Sequence, residues 1–448
     1  MKRIFKYISL LLILLGLGAC AGDSAYQEKA ADPEIFHRAS EKLTSVIVHD
    51  IFSPPVASRI YSYAYIAAYE GFRNGYPEYQ SVGGQLNGLS AFPEPEAGQE
   101  YCFPVAGLQA FLVTGKALIF SEEEIEAQQE EVAQGFRKMG IPRDVYDRSI
   151  AYGEAVAKHV LAWAAKDNYK ESRTFSKYTV IHDDPARWQP TPPDYMDALE
   201  PHWGEIRPFT LDSASQFAPP RPTPFDTNKN SQFIKEATEV YHAFDTDKEH
   251  REAIAKFWDD SPYVSHHAGH VMFATKKITP GGHWISIARI AARKAKADIM
   301  RAAEAYMLTS ICLADGFISC WEEKFRSNYI RPETAINKYI DEDWRPLLQT
   351  PPFPEYTSGH SVISSAATVA MESVYGKSFE FTDNTEEPFG MPARTFKSFK
   401  EASLEAAISR MYGGIHFRPA VDNGVAQGER VGQHVVSKII THAQTGSR

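Results

Sequence analysis

Three short stretches in the last third of the chain carry residues that could bind a tetrahedral oxyanion. Lys324 and Arg331 lie seven residues apart, Ser358-Gly359-His360 stands where a helical pattern begins, and Arg410 precedes His416 by six residues. Backbone N–H groups at the start of a helix attract anions, and guanidinium groups form bidentate contacts with oxyanions. Three cations, a hydroxyl, a helix start and two imidazoles together predict one oxyanion site.

The elements that must position these residues are mostly helices, because apolar residues recur with the helical period and few stretches alternate as strands do. Pro332 limits a long predicted helix, and if that helix persists to Arg331, then Lys324 and Arg331 share nearly one face. Ten prolines between residues 185 and 224 mark a long irregular connection within residues 169–230. The fold class predicted is all-α, with helical bundles and long irregular loops. The predicted helical segments cover residues 121–140, 142–164, 233–258, 285–329, 358–375 and 398–413.

The composition excludes several classes of protein. The 448 residues carry a net charge of -10, with 43% hydrophobic and 12% aromatic residues, so the chain can bury a large core and is neither disordered nor fibrous. A phosphate-binding surface needs clustered Lys and Arg, which this acidic chain lacks over any long stretch. We therefore expect no nucleic-acid partner.

The N-terminus is typical of an exported lipoprotein. Three basic residues precede an apolar run, which is followed by Leu17-Gly18-Ala19-Cys20. The run is about 18 Å long as a helix, too short for about 30 Å of hydrocarbon. The last four residues resemble a bacterial lipobox, which implies lipidation of Cys20; the alternative is an ordinary cleavage site that happens to precede a cysteine. We predict a signal peptide at 1–19, a lipidated tether at 20–34 and one helical domain at 35–448, with the oxyanion site within 320–425. The expected location is the cell envelope, with the lipid anchor as the only membrane contact.

Three motifs, in this order, resemble those of the superfamily that joins type 2 phosphatidic acid phosphatases with vanadium-dependent haloperoxidases. They are Lys324-x6-Arg331-Pro332, Ser358-Gly359-His360 and Ser409-Arg410-x5-His416. The resemblance implies that His416 bonds the oxyanion, either as the ligand of vanadium or as a phosphorylated nucleophile. It also implies that His360 is the general acid/base and that Lys324 takes part in catalysis. The residues implied to hold the oxyanion's oxygens are Lys324, Arg331, Ser358, Gly359 and Arg410.

One departure separates the chain from the phosphatase branch. The phosphatase motif places an Asp four residues after the histidine, whereas the next Asp here is Asp422, six residues after His416. The chain also lacks the several membrane spans of the lipid phosphatases. Other segments resemble elements of bacterial vanadium haloperoxidases, among them Phe257-Trp258-Asp259-Asp260 and Gly281-Gly282-His283-Trp284. Within them, Asp259 or Asp260 is expected to pair with Arg331 or Arg410 behind the site.

Aromatic residues near the motifs bear on the choice of halide. Trp321 and Phe353 match positions that flank vanadate in haloperoxidases, and Tyr263 is a third candidate for this wall; the alternative is that the aromatics only build the core. The family's bromide enzymes tend to carry histidine where Phe353 stands and arginine where Trp321 stands. Their absence favours iodide, with bromide second, although fungal chloride enzymes share the aromatic pair.

The resemblance therefore implies oxidation of halide by hydrogen peroxide to hypohalous acid. The cofactor would be vanadate, which stays V(V), and neither haem nor flavin would be needed. Two alternatives remain open at this stage. One is a periplasmic acid phosphatase with a phosphohistidine intermediate, and the other is a non-catalytic lipoprotein that binds glycans on its aromatic residues.

Overall fold

A computed structural model describes residues 25–268 and 271–442, without the side chains of residues 263, 266–268 and 271–274. The predicted signal peptide and Cys20 lie outside these residues. Within the described ranges, no helix combines the length and apolar character needed to cross a membrane. The helices are α1 (Ala25–Ala30), α2 (Pro33–His49), α3 (Pro54–Arg73), α4 (Phe103–Lys116), α5 (Glu122–Arg137), α6 (Arg143–Ala164), α7 (Tyr169–Ser172), α8 (Gln232–Tyr241), α9 (Lys248–Phe257), α10 (Pro280–Lys294), α11 (Ile299–Ser327), α12 (Pro332–Tyr339), α13 (Gly359–Tyr375), α14 (Phe399–Tyr412) and α15 (Arg418–Lys438).

The predicted mostly helical fold is confirmed, and two short antiparallel hairpins add to it. β1 (Tyr263–Ala268) pairs with β2 (Val271–Lys276), and β3 (Phe381–Asp383) pairs with β4 (Arg394–Phe396). Helix α11 is the central element, since it is buried along nearly its whole length. It packs against α3 in one bundle, which α4 and α6 complete, and against α13 in a second bundle, which α14 and α15 complete. The second bundle contains all three sequence motifs.

The single long helix predicted for residues 285–329 is wrong, because α10 and α11 are separate. Lys296 adopts a left-handed backbone with φ of 50°, and the side chain of Asp298 accepts a hydrogen bond from Arg301 N at 2.8 Å, which caps α11. The continuous apolar pattern hid this break. The stretch predicted as helical at 233–258 is likewise divided between α8 and α9.

Close packing of α13 on α15 depends on a stripe of glycines in α15. A Cβ atom built on Gly428 would lie 2.0 Å from the carbonyl oxygen of Val362, and one on Gly424 would lie 2.8 Å from Ser361 Cβ. No side chain fits at these distances. The stripe therefore brings the first turn of α13 beside the first turn of α15, where Ser358 N donates to Ala420 O at 3.0 Å.

The irregular region predicted between residues 169 and 230 is anchored to α11 by a buried carboxylate. Asp315 accepts hydrogen bonds from Phe209 N at 2.7 Å and from Thr210 N at 2.8 Å. The indole of Trp321 donates to Leu199 O in the same region at 3.2 Å. These contacts hold the loop against the end of α11 that carries Lys324.

The N-terminal segment is more ordered than the predicted tether requires. Helix α1 starts at Ala25, and its residues Tyr26 and Ala30 are buried in the main core. The hydroxyl of Tyr26 donates to Glu100. Of the tether predicted at 20–34, residues 25–30 therefore lie on the domain, because burial of an aromatic side chain holds them there. Residues 20–24 lie outside the described residues.

Candidate active site

Helix α11 does not persist to Arg331, so Lys324 and Arg331 belong to different elements and do not share one helical face. Helix α11 ends at Ser327, and Asn328 takes the left-handed conformation with φ of 46°. Asn328 O then accepts from Trp188 N at 3.1 Å, so the turn is held by the irregular region. Arg331 begins the next helix as the N-cap of α12. Both cations are completely buried.

The ammonium group of Lys324 organises the segment that leads into α13. Its Nζ atom donates to the carbonyl oxygens of Pro354 at 3.0 Å, Glu355 at 3.0 Å and Thr357 at 2.5 Å. All three ammonium hydrogens thus have acceptors, so a contact from Lys324 to an oxyanion would have to replace one of these bonds. Burial lowers the pKa of Lys324 to about 7.

His416 is oriented by a carboxylate that the sequence analysis missed. Its Nδ1 atom lies 2.9 Å from Glu355 Oε1, and the same oxygen accepts from Phe417 N at 2.9 Å. On the other side of the ring, Nε2 lies 3.2 Å from the Nη1 atom of Arg331. Because a guanidinium can only donate, Nε2 must be the acceptor and Nδ1 must carry the proton. The nitrogen next to the cations therefore presents a lone pair.

The third motif brings Arg410 to the same place. Its Nη1 atom donates to Trp258 O, whereas its Nε atom is buried and has no hydrogen-bond partner among the described residues. The Nη2 atom of Arg331 is likewise buried without a partner in that part of the chain. Unpaired buried donors on cations are costly, and an oxyanion would satisfy both. This is the observation that fits the residues to a group such as vanadate.

The first turn of α13 borders the site, and the helix begins at Ser358-Gly359 as predicted. Ser358 is the N-cap, and its side chain accepts from Ser361 N at 3.3 Å. Gly359 and His360 then line a cavity of about 560 Å³. We call the set of Lys324, Arg331, Ser358, Gly359, Arg410 and His416 the anion cradle. Of these, the cavity is lined by Gly359, Arg410 and His416.

His360 lies beside a carboxylate, but not in the arrangement predicted. Its Nε2 atom is 3.5 Å from Asp260 Oδ2. Among the described residues, neither Asp259 nor Asp260 forms a direct ion pair with an arginine of the cradle, since Asp259 pairs with Lys277 at 2.8 Å and Asp260 pairs with histidines. The charges of both acids nevertheless oppose the lowering of the Arg410 pKa by burial. The chain turns after Trp258, so Arg410 is held by a backbone carbonyl of this segment instead.

Burial and the two arginines set the charges of the site. Burial, with Arg331 next, holds the pKa of His416 well below its ordinary value, and burial with Arg410 lowers the pKa of His360 to about 4. Burial lowers the pKa of Arg331 to about 9, and burial raises the pKa of Glu355 to about 8. Both imidazoles are therefore neutral in neutral solution, as a metal ligand and a proton acceptor require.

Two of the three predicted aromatic residues form one wall of the cavity. The rings of Trp321 and Phe353 are 4.8 Å apart between centroids, and both line the cavity. Lys324 Nζ lies 5.0 Å from the centroid of the Phe353 ring, which places this wall directly beside the cradle. Tyr263 lies in β1, and its side chain lies outside the described residues.

The fold and the cradle define a helical-bundle protein with a buried site for a tetrahedral oxyanion. The chain is 48% identical to a bacterial vanadium-dependent iodoperoxidase of known structure, with a TM-score of 0.87, and the match covers 93% of this chain and 99% of that one. The chain therefore belongs to the vanadium-dependent haloperoxidase family.

Further comparisons agree on the fold. Residues 304–445 match the family model of the second helical-bundle domain of VCPO. Two structures of bacterial vanadium-dependent chloroperoxidase, holo and apo, are 17% identical, with TM-scores of 0.67 and 0.66; the matches cover 87% and 86% of this chain and 93% and 94% of those chains. No curated protein matches the chain.

Proposed function

We propose that this protein is a vanadium-dependent haloperoxidase that oxidises iodide with hydrogen peroxide, and bromide less well. The orientation of His416 is the main support for this proposal. Its Nδ1 atom is hydrogen-bonded to Glu355 at 2.9 Å, and its Nε2 atom lies 3.2 Å from Nη1 of Arg331. A neutral imidazole with its lone pair among buried cations is a ligand for a metal oxyanion. Membership of the family supports vanadate as that oxyanion.

The cradle would neutralise the negative oxygens of vanadate. The unpaired donors Arg331 Nη2 and Arg410 Nε are placed to do so, together with the backbone at the start of α13. Bound vanadate, which stays V(V), would supply the Lewis acidity that makes a peroxide oxygen electrophilic toward halide. Glu355 would keep the proton on Nδ1 and so hold Nε2 available as the ligand.

His360 would act as the proton acceptor for hydrogen peroxide. Burial and Arg410 keep this imidazole neutral at neutral pH, which is the form that accepts a proton. Asp260 Oδ2, 3.5 Å from Nε2, would stabilise the charged ring after the transfer. Loss of His360 should therefore lower turnover more than vanadate affinity.

The aromatic wall supports iodide as the preferred halide. Trp321 and Phe353 present polarisable ring surfaces with little exposure to water, and iodide is the halide that is easiest to oxidise. The relative at 48% identity is described as an iodoperoxidase. The family's bromide enzymes tend to have histidine in place of Phe353 and arginine in place of Trp321, and this chain has neither.

A phosphatase is the second candidate, because one contact fits it as well as it fits a haloperoxidase. The sequence lacks the expected Asp after His416, yet Glu355 supplies a carboxylate to Nδ1, and such a pair could equally orient a phosphohistidine nucleophile. The comparisons do not favour this activity, since the relatives found are haloperoxidases.

The experiment is a paired assay of the purified protein. Iodide and bromide oxidation by hydrogen peroxide are measured with and without orthovanadate, alongside hydrolysis of p-nitrophenyl phosphate. The proposal expects vanadate-dependent triiodide formation that exceeds bromide oxidation at equal halide concentration. Phosphate ester hydrolysis that vanadate inhibits, without halide oxidation, would assign the phosphatase instead.

We further propose that the protein is anchored in the cell envelope through lipidated Cys20. The proposal is supported by the N-terminal sequence, in which basic residues precede an apolar run that is followed by Leu17-Gly18-Ala19-Cys20. Labelling with a radioactive fatty acid should mark the full chain and leave Cys20→Ala unlabelled. Equal labelling of the two proteins would contradict the anchor.

A further inference from the structure

A cluster of four buried titratable side chains lies outside the anion cradle. Its members are Asp260, His283, Asp383 and Glu386. His283 Nδ1 lies 2.9 Å from Asp260 Oδ1 and 3.9 Å from Glu386 Oε1, and His283 Nε2 lies 2.8 Å from Asp383 Oδ2. The side chains of all four are at most 1% exposed. They come from the segment after α9, from the first turn of α10, and from β3 and the loop that follows it.

Glu386 distinguishes this cluster from an ordinary buried ion pair. Both of its carboxylate oxygens are buried and have no hydrogen-bond partner among the described residues. Burial, with the nearby Asp260, raises the pKa of Glu386 to about 8. Lys277, whose charge lowers the pKa of Glu386, already pairs with Asp259 at 2.8 Å. A buried acid without a partner is costly unless it keeps its proton or a cation joins it.

We propose that Asp260, His283 and Glu386 bind a divalent metal ion, zinc by preference, separate from the vanadium site. One ligand atom from each of the three residues lies within 4.8 Å of the other two. Ligand atoms about 2.0–2.1 Å from a zinc ion are about 3.3 Å apart in a tetrahedron. The spacings of 2.9 Å and 3.9 Å from His283 Nδ1 lie on either side of that value.

The fourth residue has the position of an outer partner for a metal-bound histidine. Asp383 accepts from His283 Nε2, and carboxylates commonly fix metal-binding imidazoles in this way. A metal ion on Nδ1 would replace the proton that this atom now shares with Asp260 Oδ1. Imidazole also favours zinc over magnesium or calcium, which prefer oxygen ligands only. Two oxygens of Glu386 without other partners complete the donor set.

The metal would connect to the reaction through Asp260. Asp260 Oδ1 faces His283 and the proposed ion, while Oδ2 faces His360 at 3.5 Å. The ion would therefore fix the carboxylate that lies beside the proton acceptor. The proposal itself does not depend on halide oxidation, because it concerns only this second cluster.

The test measures zinc directly in protein kept free of vanadate and halide. The full chain is incubated with zinc, dialysed and analysed by mass spectrometry for metal content, and its Tm is recorded with and without EDTA. We expect about one zinc per chain and a lower Tm after EDTA. Substoichiometric zinc with a Tm that EDTA does not change would overturn the proposal and leave protons on His283 and Glu386 in place of the ion.

Variants separate this site from adventitious binding. Glu386→Gln should abolish stoichiometric zinc, and Asp383→Asn should weaken it by about 10–100-fold. Glu333→Gln is the matched control, because Glu333 is also a buried acid with a raised pKa, but it accepts from Thr350 and stands outside the cluster. Full zinc content in Glu386→Gln would contradict the assignment. The wild-type measurement stands even where a variant does not fold.

Discussion

The Nδ1 atom of His416 lies 2.9 Å from Oε1 of Glu355, and this contact decides which ring nitrogen faces the cations. Glu355 belongs to the segment that enters α13, so the same few residues supply the orienting carboxylate, the N-cap Ser358 and His360. The three carbonyl contacts of Lys324 hold that segment in place. His416 and His360 are thus positioned by one loop.

Glu355→Gln tests the orienting contact. The amide oxygen can still accept from His416 Nδ1, but the ionised form of Glu355, which prevails above about pH 8 and makes the ring a better ligand, is lost. We expect vanadate affinity to fall by about 10–100-fold, measured by titrating activity with orthovanadate. Glu304→Gln is the control, since Glu304 is a buried acid that binds Thr441 far from the cradle. An unchanged vanadate affinity in Glu355→Gln would show that Glu355 has no orienting role.

Phe353→His tests the aromatic wall. The new imidazole would stand beside Lys324 and replace an apolar surface with a polar one, and histidine is the residue that the family's bromide enzymes tend to carry at this position. We expect the ratio of kcat/KM for bromide to that for iodide to rise by about tenfold, the scale that one pocket contact provides. Phe120→His serves as the control, because Phe120 is 74% exposed and does not line the cavity. A ratio that stays constant would remove Phe353 from halide selection.

Gly428→Ala tests whether the close approach of α15 to α13 positions the site. The new Cβ would lie 2.0 Å from the backbone oxygen of Val362, so the helices must separate. We expect a loss of about 3 kcal/mol in the free energy of unfolding, measured with urea, together with weaker vanadate binding. Gly135→Ala is the matched control, since its Cβ meets nothing within 4 Å. It should be neutral or stabilise by up to about 1 kcal/mol. Equal stability of the two variants would contradict this account of the packing.

Burial of His37, away from the active site, should make the free energy of unfolding depend on pH. Its ring is buried against Tyr306, and burial lowers its pKa from 6.5 to about 4. Between these values the unfolded chain binds a proton that the folded protein excludes, so the free energy of unfolding falls as the pH decreases through this window. The contribution lost is up to about 3 kcal/mol. His37→Gln should show a shallower decline than the wild type from pH 6.5 to 4. If the free energies of unfolding of the two proteins decline in parallel, then folding does not lower the pKa of His37.

The sequence predicts most of the anion cradle because its members occur in local patterns. The N-cap at Ser358 and the end of α14 before Gly413-Gly414 follow from capping rules, and the structure has both. The three cations were recognised by residue type and order. The structure brings them together around His416.

What the sequence does not reveal depends on contacts between distant segments. Glu355 lies 61 residues from His416, and nothing in its own neighbourhood marks it except a charge within an apolar, proline-rich stretch. The partners of Asp260 could not be predicted for the same reason, since His283 and His360 approach it from two other helices. The break before α11 had a local signal in Asp298, which the continuous apolar pattern obscured.

The most direct test of the central claim compares vanadate dependence in the wild type and in His416→Ala. The initial rate of triiodide formation from iodide and hydrogen peroxide is measured over a range of orthovanadate concentrations. We expect a saturable rise for the wild type and a rate at the background level for the variant, which still folds with an unchanged circular dichroism spectrum. Saturable, vanadate-dependent oxidation by folded His416→Ala would contradict the assignment of His416 as the vanadium ligand.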